Sequence, residues 1–109
     1  MAENLRLTTT VAAVLAVFLE DPQAPHYGFD LTRATGQPSG TMYPILLRLE
    51  RAGWLEAHWE EIDEAVAERP ARRYYRLTPD GLATACSQVA ALRKQLGRAS
   101  KAQKEQVAW

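Results

Sequence analysis

Apolar residues recur at helical spacing in three stretches of this chain and alternate with polar ones in two others. Val11, Val14, Leu15, Phe18 and Leu19 form the first stripe. Thr8, Thr9 or Thr10 can cap it, and Asp21-Pro22 closes it near Glu20, because a residue before proline avoids the α region. After a loop over 22–26, Tyr27 to about Ala34 reads as a short second helix with Gly36 as its C-terminal glycine. Ile45, Leu49 and Ala52 mark a third helix that starts near Ser39 and ends at Gly53. Trp54, Leu55, Ala57 and Trp59 then alternate approximately with polar residues, and Arg72 to Leu77 alternates again around Tyr74 and Tyr75. These predict the two strands of a β-hairpin, joined by a flexible wing over about Glu61 to Ala71. Thr78, with Pro79 at the first helical position, starts a last helix on which Leu82, Ala85 or Cys86, Val89, Leu92 and Leu96 make a seam of about two heptads. Beyond Gly97 the pattern fades, which predicts a frayed or solvent-facing extension.

Two short helices joined by a glycine-containing turn are the helix-turn-helix arrangement. The expected fold is therefore mainly α with a small β-hairpin: a winged helix-turn-helix over 1–80 and a long C-terminal helix over 81–109. A chain of 109 residues has room for one compact domain, and no internal repeat, linker or low-complexity tract divides it. A hydrophobic fraction of 47 % suffices for a core.

The third helix has two unlike faces. Its far side carries the apolar stripe, while Ser39, Gly40 and Thr41 offer side-chain oxygens and backbone N–H groups at the helix start. Pro44 is expected in or next to the first turn, where no intrahelical hydrogen bond is lost, leaving Ser39 to Tyr43 as a small, polar, exposed tip. Such a tip suits a phosphate or a base edge. A side chain at position 40 would hold the backbone away from DNA or clash where the helix begins. The purely structural alternative is that Ser39 and Thr41 only cap and that Tyr43 staples the helix onto the second one.

Charge changes the picture locally rather than globally. Thirteen basic residues against thirteen acidic ones give no net charge, which by itself argues against a nucleic-acid binder. Residues 56–68, however, hold six acids and no base, whereas residues 69–76 hold four arginines and no acid. Local field governs binding, because salt screens the acidic run beyond about 8 to 10 Å. Strand geometry puts Arg72, Tyr74 and Arg76 on one face and Arg73, Tyr75 and Leu77 on the other. Tyr75 and Leu77 are expected to face the core, leaving Arg72, with Arg69 and Arg73 nearer the wing tip, to meet phosphates. The alternative is that these arginines neutralise the acidic run in hairpin salt bridges.

Catalytic chemistry finds no support. The chain has no Gly-rich phosphate loop, CxxC, HExxH or Gly-x-Ser-x-Gly, and His26 and His58 lie far apart with no acidic partner at ligand spacing. No enzyme activity, metal or cofactor is expected. His58 reads as a strand surface residue and Cys86, the only cysteine, as a small core or seam residue in a reducing compartment. Val11 to Leu19 fails as a signal-peptide core, since the segment before it carries no net charge and no small-x-small site follows; it is also too short to span a bilayer. A cytoplasmic protein without a membrane partner is expected.

Three blocks together resemble the PadR family of winged-helix transcriptional regulators: Tyr27-Gly28 with Leu31; Gly40-Thr41-Met42-Tyr43-Pro44 with Arg48-Leu49-Glu50 and Gly53; and Arg72-Arg73-Tyr74-Tyr75-Arg76-Leu77-Thr78 with Gly81. They occur in the family's order and cover roughly residues 5 to 97; the spaced blocks fix one another, where any one alone would be weak. The resemblance implies that Ser39, Gly40, Thr41 and Tyr43 enter the major groove of double-stranded DNA and that Arg48 reaches a phosphate. It implies a repressor acting as a homodimer on a partly palindromic operator. Short members of the family pair through the last helix, here through Leu82, Val89, Leu92 and Leu96, a stripe for which a small monomer has little use in its own core. Some also hold a small apolar effector; the matching lining is Ala13 and Val17 with Ala85, Val89, Leu92 and Leu96, a set with no charged anchor. A dry dimer core is the plain alternative. Trp109 either folds back onto the dimer or is disordered. Two rival readings remain: a winged-helix protein-interaction module whose acidic wing docks a basic partner, and a small-molecule carrier or sensor that has lost its DNA activity.

Overall fold

The computed structural model describes residues 2–3 and 5–107, with side chains as far as residue 99; Trp109 lies outside the described residues. Along the chain run α1 (Thr9–Glu20), β1 (His26–Tyr27), α2 (Gly28–Thr35), α3 (Ser39–Arg51), β2 (Leu55–Trp59), α4 (Glu64–Ala67), β3 (Arg73–Leu77) and α5 (Pro79–Val107). Of the three candidate threonines, Thr8 caps α1, its Oγ1 accepting from the Val11 amide at 3.2 Å. Gly36 closes α2 in the left-handed region at φ 72°, and its N–H donates to the Thr32 carbonyl at 2.9 Å. Val14, Leu15, Phe18, Leu31, Met42, Leu46, Leu49 and Trp54 fill a core shared by α1, α2, α3 and the start of β2.

Several expectations are corrected. Pro38, not Ser39 or Thr41, occupies the N-cap of α3, and its carbonyl accepts from the Thr41 and Met42 amides at 3.0 and 2.9 Å. Ser39 is thus the first helical residue, and Pro44 falls in the second turn, next to the first, but at a position where an intrahelical hydrogen bond is lost. There it withholds the N–H that the Gly40 carbonyl would otherwise receive. The hairpin gains a third strand: β1 pairs antiparallel with β3, His26 opposite Tyr75 and Tyr27 opposite Tyr74, giving the order β1-β3-β2. The wing is not structureless either. Asp63 Oδ1 accepts from the Ala65 and Val66 amides at 3.0 and 3.3 Å and so caps α4, which Glu68 ends in the left-handed region at φ 55°.

The last helix also departs from expectation. Its first turns pack on α1, burying Ala85 and Val89 in the protomer's own core, while Cys86 is exposed. Leu82 is half-buried against that core, Leu92 is half-buried, and Leu96 is 54 % exposed. The seam is therefore not free along its length: the monomer uses its first half. Beyond Gly97 the backbone stays helical to Val107.

One junction sets the direction of α5. The Thr78 amide donates to the Trp54 carbonyl at 3.0 Å, and Thr78 Oγ1 donates to the Gly53 carbonyl at 2.7 Å while accepting from the Gly81 amide at 2.9 Å. A Cβ on Gly81 would lie 2.0 Å from the Trp54 carbonyl oxygen, whereas one on Gly40 would meet nothing within 4 Å. The clash considered for position 40 is thus absent within the protomer. Gly81→Ala should cost about 1 to 3 kcal/mol through forced backbone movement, and Gly40→Ala should be neutral or stabilising by about 0.5 to 1 kcal/mol. Thermal unfolding of the two variants beside the parent checks both signs.

Candidate nucleic-acid interface

The buried residues of α3 are Met42, Ile45, Leu46 and Leu49, which turns Ser39, Gly40, Tyr43, Leu47 and Arg48 outward and leaves Thr41 half-buried. Tyr43 does two things. Its ring lies so close over Gly28 that a Cβ there would sit 2.7 Å from its Cε1 and hydroxyl, so it staples α3 to the start of α2; it is still 48 % exposed. Arg48 occupies another flank, bordering a crevice with Leu5, Arg6, Val11, Ile45 and Leu49.

In the wing, Glu60 is the organising group. Its carboxylate accepts from Arg69 Nη1 at 2.6 Å and Nη2 at 3.2 Å, from the Arg72 amide at 2.9 Å, and from the Tyr27 hydroxyl at 3.4 Å. The Arg69 hydrogen bond first, and the Arg72 amide second, hold its pKa down to about 2. Arg73 Nη2 donates to Glu50 of α3 at 3.1 Å, and its guanidinium lies 5.5 Å from the centre of the Trp59 ring. Arg76 lies over Tyr74, on the opposite sheet face, where His58 stacks on the same ring. The wing arginines are thereby sorted. Arg69 and Arg73 have carboxylate partners, one of them in the acidic run and the other on α3; the exposed Arg72 guanidinium has no ion pair among the described residues.

Between wing and helices lies a concavity of about 470 Å³, bordered by Tyr27, Gly28, Phe29, Tyr43, Trp59, Arg72, Arg73 and Tyr75. It brings Tyr43 from the tip of α3 beside Arg72 and Arg73 of the wing. Phe29 at 65 % and Trp59 at 60 % exposure are its unforeseen members. Trp59 continues the apolar alternation of β2, which marks a strand and not an exposed ring; Phe29 carries no signal of its own.

A second groove, of about 190 Å³, runs between α1 and α5 along Thr9, Ala12, Ala13, Ala16, Val89, Leu92, Arg93 and Leu96. Of the residues named for an effector, Ala13, Val89, Leu92 and Leu96 line this groove. Val17 and Ala85 do not: Val17 packs on the core and Ala85 is fully buried. Arg93 also places a cation at the rim of a site expected to have none. Leu82 borders a different recess, with Arg76 and Leu77 at the end of the sheet. Among the described residues no group of three or more His, Cys, Asp or Glu could hold a metal ion, and no helix is long and apolar enough to cross a membrane.

A helix-turn-helix with a β2-β3 hairpin as its wing, a short β1 completing the sheet, and a long last helix define a winged-helix fold. The profile of the transcriptional regulator PadR-like family matches residues 14–86, and the chain belongs to that family. Among solved structures it resembles a PadR-like transcriptional regulator from Bacillus cereus, with 20 % identity, 91 % of each chain covered and a TM-score of 0.62. It also resembles a variant of ZitR from Lactococcus lactis (14 % identity, TM-score 0.66, 96 % of this chain and 66 % of that one). MepR, a transcription regulator of the Staphylococcus aureus multidrug efflux pump MepA, is similar at 18 % identity and TM-score 0.63, over 89 % of this chain and 65 % of that one. At these identities the likeness is one of fold, and this chain spans about two thirds of the length of ZitR and MepR. No curated protein matches the sequence.

Because the Glu60 pKa is depressed in the folded state, the stability it contributes is present above its ordinary value of 4.5 and is lost as pH falls toward about 2. Glu60→Gln should flatten the pH dependence of unfolding in that window. At neutral pH it should also speed hydrogen exchange at the Arg72 amide, which the carboxylate now holds. Exchange measured by NMR on both proteins reads this directly.

Proposed function

We propose that the chain is a DNA-binding repressor that acts as a homodimer on a partly palindromic operator. One observation carries the reading: Tyr43 of the α3 tip and Arg72 and Arg73 of the wing border the same concavity. Ser39, Gly40, Thr41 and Tyr43 would read base edges in the major groove. Arg72 would neutralise a flanking phosphate, with Arg48 on the other flank of α3, and Arg69 and Arg73 would contribute where DNA competes with Glu60 and Glu50. Two-fold symmetry would place two α3 helices about one DNA turn apart. Removing Arg72 by Arg72→Ala should reduce the magnitude of the salt slope of log K by about 0.9 and weaken cognate and random DNA alike. Thr41→Ala or Tyr43→Phe should instead cost about 1 to 3 kcal/mol on the cognate site alone. Titrations at several fixed salt concentrations separate the two.

Pairing is assigned to the second half of the α5 stripe, Leu92 and Leu96, together with the alanine-lined flank of α1, and a small apolar effector would occupy the same groove. Val89 contributes at the floor; Leu82, in its separate recess, sits at the margin. Leu96→Glu should produce a folded monomer, because a charge is buried against its symmetry mate without a partner. Val89→Glu should unfold the chain instead, since Val89 is 5 % exposed within one protomer. Sedimentation beside circular dichroism distinguishes these outcomes, and a parent chain that sediments as a monomer at micromolar concentration would sink the dimer.

A second reading has its own observation. On α4, Val66 is 80 % exposed among Glu61, Asp63, Glu64 and Glu68, a surface suited to a basic protein partner rather than to DNA. Absence of any salt-dependent shift with random DNA at low salt would favour it.

A further inference from the structure

We propose that the concavity between the wing and α3 seats an unpaired nucleobase together with its adjacent phosphate. The inner face of the hairpin runs outward through the pairs Leu55 and Leu77, Ala57 and Tyr75, then Trp59 and Arg73. The first pair is buried, but the last is not: Trp59 stands on the core side of the sheet at 60 % exposure. The sheet's apolar face therefore outruns the helices that cover it. Tyr43, whose ring packs over Gly28 because that residue has no Cβ, borders the same concavity. Phe29, 65 % exposed, flanks the opening. These rings come from β2, α3 and α2, so the gap between them is held by the fold and not by one flexible segment. Its volume of about 470 Å³ falls within the usual range of small-ligand sites, about 300 to 1,000 Å³.

Aromatic walls select a flat ring, and stacking on them is indifferent to base identity. Charge selects the rest. Arg73 is offset by Glu50 and its guanidinium lies 5.5 Å from the centre of the Trp59 ring; Arg72, which borders the same concavity, makes no ion pair among the described residues, although its charge acts on Glu60. A phosphodiester carries one negative charge and matches the arginine fork. Bases inside a duplex already have both faces stacked and offer none to Trp59 or Tyr43; an unpaired base does. The inference shares a face with the repressor reading but does not rest on it, since neither operator nor dimer is required.

Two sources share this chemistry, a single strand and a free nucleotide. The test uses the full chain carrying Trp109→Phe, so that the response comes from the exposed Trp59 while Trp54 stays fully buried. Octathymidylate, an abasic octamer with the same phosphates, and thymidine monophosphate are titrated at one low salt concentration. Saturable quenching by octathymidylate is expected, with about tenfold weaker binding of the abasic octamer. Anisotropy of labelled octathymidylate should show about a tenfold loss on Trp59→Leu and on Arg72→Gln, both exposed positions, with circular dichroism unchanged. Equal binding of the monophosphate would identify a nucleotide site and much weaker binding a strand site, either being the proposed chemistry. Abasic and thymidine octamers of equal affinity, or unaltered Trp59 emission at saturation, would overturn the proposal. Base-dependent binding without any duplex binding would remove the repressor reading alone.

Discussion

The junction of α3, the hairpin and α5 depends on the contact of Gly81 with the backbone of Trp54. At that point the end of α3, the start of β2, the end of β3 and the start of α5 converge within hydrogen-bond reach of Thr78. Trp54 is fully buried, and its indole N–H donates to the Glu3 carbonyl, so the segment before α1 is tied to the same place. The junction admits no side chain at position 81 because a backbone carbonyl, which cannot rotate away, occupies the space. The path of α5 toward α1 and the way the hairpin leaves α3 meet at this junction, through which the wing and the α1–α5 groove are connected along the chain.

Electrostatics then decides which cations remain available. A chain of zero net charge offers a basic surface only if its acids are spent on particular bases. Glu60 and Glu50 do this unequally: one takes the guanidinium of Arg69 and the amide of Arg72, the other the guanidinium of Arg73. Holding the Arg72 backbone while leaving its side chain exposed gives that arginine a fixed origin and a free end. Glu61, Asp63, Glu64 and Glu68, on and beside α4, lie in the loop beyond the strand ends, where they would repel a phosphate.

The fifth helix serves two purposes along one stripe. Ala85 and Val89 complete the protomer's core, and the same stripe, continued through Leu92 to Leu96, rises out of it as the gap to α1 widens into a groove. Small residues on α1, Ala12, Ala13 and Ala16, leave that groove open. Apolar periodicity is continuous across the change, so spacing alone does not reveal where core ends and surface begins.

Most elements were legible because burial on one side imposes a period: α1, α3, α5, β2 and β3 each repeat long enough to show it. β1 has two residues and α4 has four, too few for any period, and both depend on partners elsewhere, Tyr74 and Tyr75 for the one and the Asp63 cap for the other. The polar tip of α3 and the basic strand were visible in composition. The choice among the arginines was not, since Glu50 and Arg73 are 23 positions apart and meet only when the wing folds back. Nor was the aromatic concavity, whose residues come from β1, α2, α3, β2 and β3. Sequence determines which face of each element avoids water; which faces then fail to be covered is a property of how whole elements fit, and that is decided only in the folded chain.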